Sequence, residues 1–204
     1  PFKIHRFIVT KILQKKFITG EASVRYLDHP HAPQRIKQVT PHAKFIILLR
    51  NPITRAFSQH TRVKHNNRES LTFRDAFLNE SKRTKEDYKK IFSEPFYYAD
   101  SYFTYSYFER GIYVDKIKHW MEVFPKEQFL IIQSEEFFRE PSKIYNQVLD
   151  FLGVENFELD TYRTYGKVNK NRKIDSIFYN ELSDYFKPHN QRLYEFLGRK
   201  FDWE

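Results

Sequence analysis

The sequence predicts an α/β domain with a central parallel sheet flanked by helices. Two apolar runs, KFIILL at 44–49 and QFLIIQ at 128–133, have the length and continuity of strands buried on both faces. Helical patterns separate and follow these runs, which is the alternation that builds parallel sheets. A length of 204 residues, 40% hydrophobic and 18% aromatic, suits a single domain, 1–204, with a packed core. Only two or three strands are visible, which is thin for a complete sheet. Pro1 is not a translation start, so the chain is expected to be the C-terminal portion of a longer domain.

In chain order, residues 5–16 pattern as a helix, followed by a short apolar stretch at 17–19. Residues 31–39 form a short helix that stops before Pro41. After the first strand, Asn51 is placed to cap a helix that carries Pro52 at its first position. A second helix is expected at 72–82, capped by Ser70 or Thr72, with the charged run 82–90 as a solvated loop or helix face. Residues 96–107 are crowded with aromatic side chains, a core segment or an acceptor wall. Tyr113, Ile117, Trp120 and Phe124 recur at helical spacing up to Pro125. Helices are predicted at 142–152, ended by Gly153, at 176–186, broken before Pro188, and at 190–197, ended by Gly198.

Composition removes several classes of function. With no cysteine there are no disulfides, thiol chemistry or iron–sulfur ligation, which fits a reducing, cytoplasmic setting. The eight histidines show no compact ligand spacing, so no metal is expected. No apolar run approaches the ~18 residues of a membrane span. A net charge of +9 points to an anionic partner and goes no further.

The sharpest pattern is LRNPITRAFS at 49–58. Arg50 follows a predicted parallel strand at its C-terminal end, where α/β folds place ligands. The helix opening at Pro52 is expected to offer free backbone N–H groups and its dipole to an anion. Arg50 brings a planar fork of donors, and Ser58, two turns on, a hydroxyl. Arg55, Ser58 or Gln59, and Arg62 share a helical face by spacing. The five glycines, at 20, 111, 153, 166 and 198, permit neither a Walker loop nor a dinucleotide fingerprint. Phosphate is therefore expected to be held by side chains and a helix terminus.

KFIILLRNPITRAFS resembles the 3′-phosphate-binding strand–loop–helix of sulfotransferases that use 3′-phosphoadenosine 5′-phosphosulfate (PAPS). GEASVRYLDHPHAPQRI is similar to the segment before that motif in bacterial members, with a related stretch in heparan-sulfate sulfotransferases. ERGIYVDKIKHW through VLDFLGV resembles the family's next helix–strand–helix block, and DYFKPHNQRLYEFLGRKFDWE its ending. The resemblance implies a P-loop-like sulfotransferase fold, PAPS or 3′,5′-bisphosphoadenosine as co-substrate, and Arg50 and Ser58 on the 3′-phosphate. It implies that Asn169, Lys170, Asn171, Arg172 and Lys173 form the late basic loop over the nucleotide, with Asn171 where members often carry glycine. The first strand and its 5′-phosphosulfate loop, and the carboxylate base of the heparan-sulfate-type enzymes, are expected upstream of Pro1. Glu21 is a weak substitute for that base. Arg110 and Gly111 are candidate acceptor-binding residues beside the aromatic segment.

Sulfuryl transfer asks for an anchored nucleotide, neutralised leaving-group charge and a base for the acceptor hydroxyl or amine. Only the first is visible here, so this chain alone is expected to turn over poorly. Three readings follow: a PAPS-dependent sulfotransferase acting on a carbohydrate or small molecule, a catalytically inactive relative that binds nucleotide or anionic glycan, and a basic nucleic-acid binder. The last lacks any recognisable nucleic-acid motif, and its basic residues are dispersed.

Overall fold

The computed structural model describes residues 18–163 and 174–203. The helix expected at 5–16 and the basic loop 169–173 lie outside the described residues. Among the rest, two parallel strands, β1 (Phe45–Leu49) and β2 (Phe129–Gln133), pair in register from Phe45 opposite Phe129 to Leu49 opposite Gln133. The helices are α1 (Ala32–Val39), α2 (Pro52–His65), α3 (Phe73–Ser93), α4 (Asp100–Tyr105), α5 (Tyr113–Val123), α6 (Ser134–Arg139), α7 (Pro141–Leu152) and α8 (Ser176–Leu197). The result is an α/β fold with a small parallel sheet flanked by helices.

Each start signal has a physical cause. Asn51 caps α2, its Oδ1 accepting from the backbone N–H of Ile53 and Thr54. Thr72, rather than Ser70, caps α3 by accepting from the N–H of Asp75. Gly153 and Gly198 take the left-handed conformation that ends α7 and α8.

Three core clusters hold these elements together. Phe45 packs on Phe129, Trp120 and Phe124. Leu49 joins Tyr113, Val114, Ile117, Leu193, Phe201 and Trp203, tying the end of β1 to α5 and α8. Ile53, Ala56 and Val63 of α2 meet Phe108, Phe178, Leu182 and Phe186. The site end of β1 thus sits between two clusters, which fixes its backbone on both sides.

Three expectations change. Phe45, Ile47 and Leu49 face these clusters, but Leu48, on the opposite face of β1, is 51% exposed. The strand is therefore covered on one face among the described residues, not on two. The helix expected at 72–82 runs on to Ser93, so of the two forms expected for the charged run 82–90 it takes the helix face, with Thr84 and Ile91 turned inward. Pro188 does not divide the last helices. Phe178, Leu182, Phe186 and Leu193 are buried along one continuous α8, and their packing offsets the lost N–H donor.

Candidate nucleotide-binding site

Arg50 stands at the C-terminal end of β1, one residue before the Asn51 cap of α2. Its Nε donates to Thr54 Oγ1 at 3.0 Å, and Thr54 Oγ1 in turn donates to the Asn51 carbonyl at 3.2 Å. The guanidinium is half-buried, and no carboxylate lies within ion-pair distance of it among the described residues. Its terminal nitrogens are left uncommitted. An arginine held by a neutral hydroxyl while its fork stays free is arranged for an incoming anion.

The backbone below it is anchored from three sides. The Tyr113 hydroxyl donates to the Arg50 carbonyl at 2.8 Å. Tyr113 is buried, and desolvation pushes its pKa up to about 12, so at neutral pH it remains a donor. The Asn51 N–H donates to Glu135 Oε1 at 2.9 Å, and the Asn51 side-chain amide donates to the Trp203 carbonyl at 3.0 Å. Trp203 Nε1 returns to Glu135 Oε2 at 3.3 Å.

These bonds correct one expectation. Pro52 has no N–H, the N–H groups of Ile53 and Thr54 are taken by Asn51 Oδ1, and that of Arg55 by the Asn51 carbonyl. The opening turn of α2 therefore has no free backbone donors for a phosphate. The helix dipole remains, but the donors must come from side chains.

Ser58 supplies one. It lies two turns into α2, half-buried, with no hydrogen bond from its hydroxyl to any described residue. Arg55, by contrast, turns inward. It donates to Gln59 Oε1 at 2.9 Å and to the Tyr107 carbonyl, and burial pushes its pKa down. Gln59 is locked by the Phe103 and Thr104 carbonyls. The helical face shared by 55, 59 and 62 thus serves packing at its first two positions.

The other candidates occupy different surroundings. Arg110 donates to Asp28 Oδ2 at 2.7 Å and to the Phe103 and Val24 carbonyls, with Lys116 as a second partner of Asp28. Its guanidinium clamps the 24–28 segment onto the 103–110 segment. At Gly111 a Cβ would lie 2.9 Å from Phe186 Cε1 and 2.9 Å from Pro52 Cβ, so its lack of a side chain lets α8 and α2 close on the turn. Glu21 is exposed, and its charge is the main cause raising the pKa of nearby Tyr26. Asn169, Lys170, Asn171, Arg172 and Lys173 fall outside the described residues.

Three supporting residues escaped the sequence reading. Thr54 lies four positions after Arg50 in the same pattern, a spacing that signals contact only once the strand–helix bend is known. Tyr113 read as a core position of its helix, and only its hydroxyl marks it as more. Glu135 follows β2 directly, and the parallel register carries it to the matching end of β1. The aromatic segment 96–107 is divided. Tyr102, Phe103 and Tyr107 are buried, while Phe96 and Tyr98 are exposed under the cations of Arg35 and Arg25.

A parallel strand ending at an arginine without a carboxylate partner, followed by a capped helix whose serine hydroxyl makes no hydrogen bond among the described residues, makes this an α/β domain with a candidate anion site at a strand terminus. The chain belongs to the sulfotransferase domain family, whose model matches residues 14–173. It is similar to human (Homo sapiens) heparan sulfate glucosamine 3-O-sulfotransferase 6, 25% identical over 210 residues covering 91% of this chain and 56% of that protein. It is also similar to the bifunctional heparan sulfate N-deacetylase/N-sulfotransferase 1 of Caenorhabditis elegans, 26% identical over 89% of this chain and 22% of that protein. The crystal structure of a sulfotransferase from Alicyclobacillus acidocaldarius superposes with a TM-score of 0.71 at 31% identity, covering 89% of this chain and 65% of that one. The chain spans about half the length of the first of the curated relatives it matches.

Proposed function

We propose that this chain carries the nucleotide-gripping part of a PAPS-dependent sulfotransferase that transfers a sulfuryl group to a hydroxyl or amine of a carbohydrate or small molecule. The observation that carries the reading is Arg50: its backbone is anchored, and among the described residues its terminal nitrogens have no partner and no carboxylate opposes it. In this reading Arg50 and Ser58 bind the 3′-phosphate of the co-substrate, and Asn169, Lys170, Asn171, Arg172 and Lys173 close over the nucleotide. The donor set suits a phosphate, being one guanidinium fork beside the positive end of a helix and one hydroxyl two turns along it. PAPS itself supplies the activated sulfuryl group, and these residues hold and orient it.

The residues for the remaining work are assigned with less reach. Arg110 and Gly111 bound the aromatic segment where an acceptor would lie, and they act by setting its shape rather than by donating to the acceptor. Glu21 is exposed enough to meet an acceptor proton, and its polar neighbour is the Tyr26 hydroxyl. No helix among the described residues is long and apolar enough to cross a membrane. The acceptors named for the heparan sulfate relatives make a sugar the first acceptor class to test.

Titration with 3′,5′-bisphosphoadenosine and 5′-AMP tests the reading. The bisphosphate should bind more tightly, and Arg50→Ala should cost about 10- to 100-fold, the worth of a charged hydrogen-bond pair. Equal, weak and salt-sensitive binding of the two nucleotides would instead mark a diffuse polyanion surface. Sulfate transfer to a glycan or phenolic acceptor then separates an enzyme from a binding module.

A further inference from the structure

A second cavity, of about 440 Å³, lies outside the Arg50 site between α3, the 108–109 turn and α8. Phe77, Tyr88, Phe108 and Tyr185 contribute its aromatic walls, and Glu80 contributes a carboxylate. Phe77 meets Phe108 at 4.8 Å and Tyr185 at 5.3 Å, so the rings form a continuous apolar lining. That volume falls in the range of small-molecule sites.

The carboxylate is the unusual part. Asp28 and Glu69, which are comparably sealed from solvent, both have cations: Asp28 pairs with Arg110 and Lys116, and Glu69 with Arg83. Glu80 is 7% exposed and has no cation within ion-pair distance among the described residues. Among the described residues its oxygens accept backbone N–H groups of the 107–109 turn, from Phe108 at 2.8 Å and Glu109 at 2.7 Å, and no side-chain donor is paired with them. Arg55 feels the Glu80 charge from beyond ion-pair distance, but its terminal nitrogens go to Gln59 and Tyr107 and its Nε has no partner among the described residues. The charges facing the cavity are Glu80 and Lys85 from α3 and Glu109 from the turn, with the Tyr185 phenol from α8. Glu109 is already matched by Lys116 and the Tyr102 hydroxyl. A buried carboxylate without a counter-ion, beside a cavity walled by rings, lacks one component that solution can supply.

We propose that this cavity binds a small organic cation with an apolar body, such as an arylalkyl amine, its ammonium on Glu80 and its body among Tyr88, Phe77 and Tyr185. The negative π face of such rings attracts an ammonium, and the carboxylate supplies the full charge. A bare divalent metal fits poorly, because the lining has too few oxygen ligands for it. Burial together with the Glu109 charge raises the Glu80 pKa to about 7, so the site takes the cation better above neutrality. Binding is independent of the nucleotide assignment, since none of these lining residues belongs to the Arg50 site.

Calorimetric titration of the whole chain with benzylamine and with its neutral counterpart benzyl alcohol tests this. At pH 8 the amine should bind about tenfold or more tightly than the alcohol, and its advantage should shrink at pH 5.5 as Glu80 protonates. Glu80→Gln should abolish the advantage. Because that change also disturbs the turn, Tyr88→Ala, at a half-exposed wall position, gives a second reading and should weaken the amine severalfold with bisphosphate binding intact. Equal binding of amine and alcohol, or an amine advantage that survives both variants, overturns the proposal.

Discussion

The hydroxyl of Tyr113, the first residue of α5, donates to the carbonyl of Arg50 at 2.8 Å across 63 positions of sequence. This bond fixes the peptide from which the Arg50 side chain leaves, so the direction of the guanidinium depends on a helix far away in sequence. Tyr113→Phe keeps the ring packing on Trp203 and removes only the donor. The buried carbonyl then lacks that partner, at a cost of about 1–3 kcal/mol. Urea unfolding should show that loss, and affinity for 3′,5′-bisphosphoadenosine should fall further than affinity for 5′-AMP. Equal falls for both nucleotides would mean that Tyr113 serves stability alone.

Thr54 makes the complementary contact, accepting from Arg50 Nε at 3.0 Å. Thr54→Val preserves shape and removes the acceptor. Arg50 then has more rotamers to lose on binding, at about 0.5–1.5 kcal/mol for an immobilised side chain. Bisphosphate affinity should drop roughly 3- to 10-fold with little change in unfolding midpoint. A calorimetric titration that finds wild-type affinity would show that the contact does not preorganise the arginine.

Much of this arrangement was legible in the sequence. KFIILL and QFLIIQ gave the two strands, and Asn51-Pro52 gave the helix start, because local patterning and capping chemistry are short-range. Arg50 stands at the strand end and Ser58 lies two turns into the following helix, the positions that the same short-range pattern gives them. The free N–H groups expected at the start of α2 were misjudged for a definite reason. The same Asn51 that signals the helix also consumes its donors, an intramolecular competition that no spacing rule displays. Pro188 misled in the opposite way: burial of Phe186 and Leu193 on either side outweighs the local cost of a proline. The roles of Tyr113, Glu135 and Trp203 arise from contacts across many tens of residues and have no local signature.

Gly111 shows how tightly the site is backed. A methyl group there would press on Phe186 and on Pro52, each at 2.9 Å, and Pro52 opens the helix next to Arg50. The phenyl ring is buried in the cluster around Ile53 and Leu182 and has little room to retreat. Gly111→Ala should therefore destabilise the chain by about 1–3 kcal/mol through overpacking. It should also weaken bisphosphate binding, since Pro52 is displaced with the turn. Thermal unfolding and nucleotide titration of the same variant check both parts, and a stabilised variant would show that the turn yields freely.

Glu80 gives the chain a pH response opposite in sign to that of Glu69, a second buried carboxylate. Burial is the main cause raising Glu80 from its usual 4.5 to about 7, whereas Glu69 is held low by Arg83, Leu71 N–H and the Tyr107 hydroxyl despite burial. A group with a raised folded pKa favours the native state most when protonated in both states, below about pH 4.5. That contribution is lost progressively as pH rises to about 7, and amounts to roughly 3 kcal/mol. Glu80→Gln cannot ionise, but it retains only one oxygen for the Phe108 and Glu109 N–H groups, a pH-independent loss of about 1–3 kcal/mol. Burial lowers the pKa of His29 and His60, which removes stability on the acid side in both chains and so cancels in the difference. Wild type should accordingly exceed Glu80→Gln most at pH 5, and the gap should narrow or reverse by pH 8. Urea unfolding of the two proteins at pH 5, 6.5 and 8 measures the gap directly. A constant difference across that range would mean that Glu80 titrates as an ordinary exposed carboxyl, and that the 107–109 turn opens to water far more than its hydrogen bonds imply.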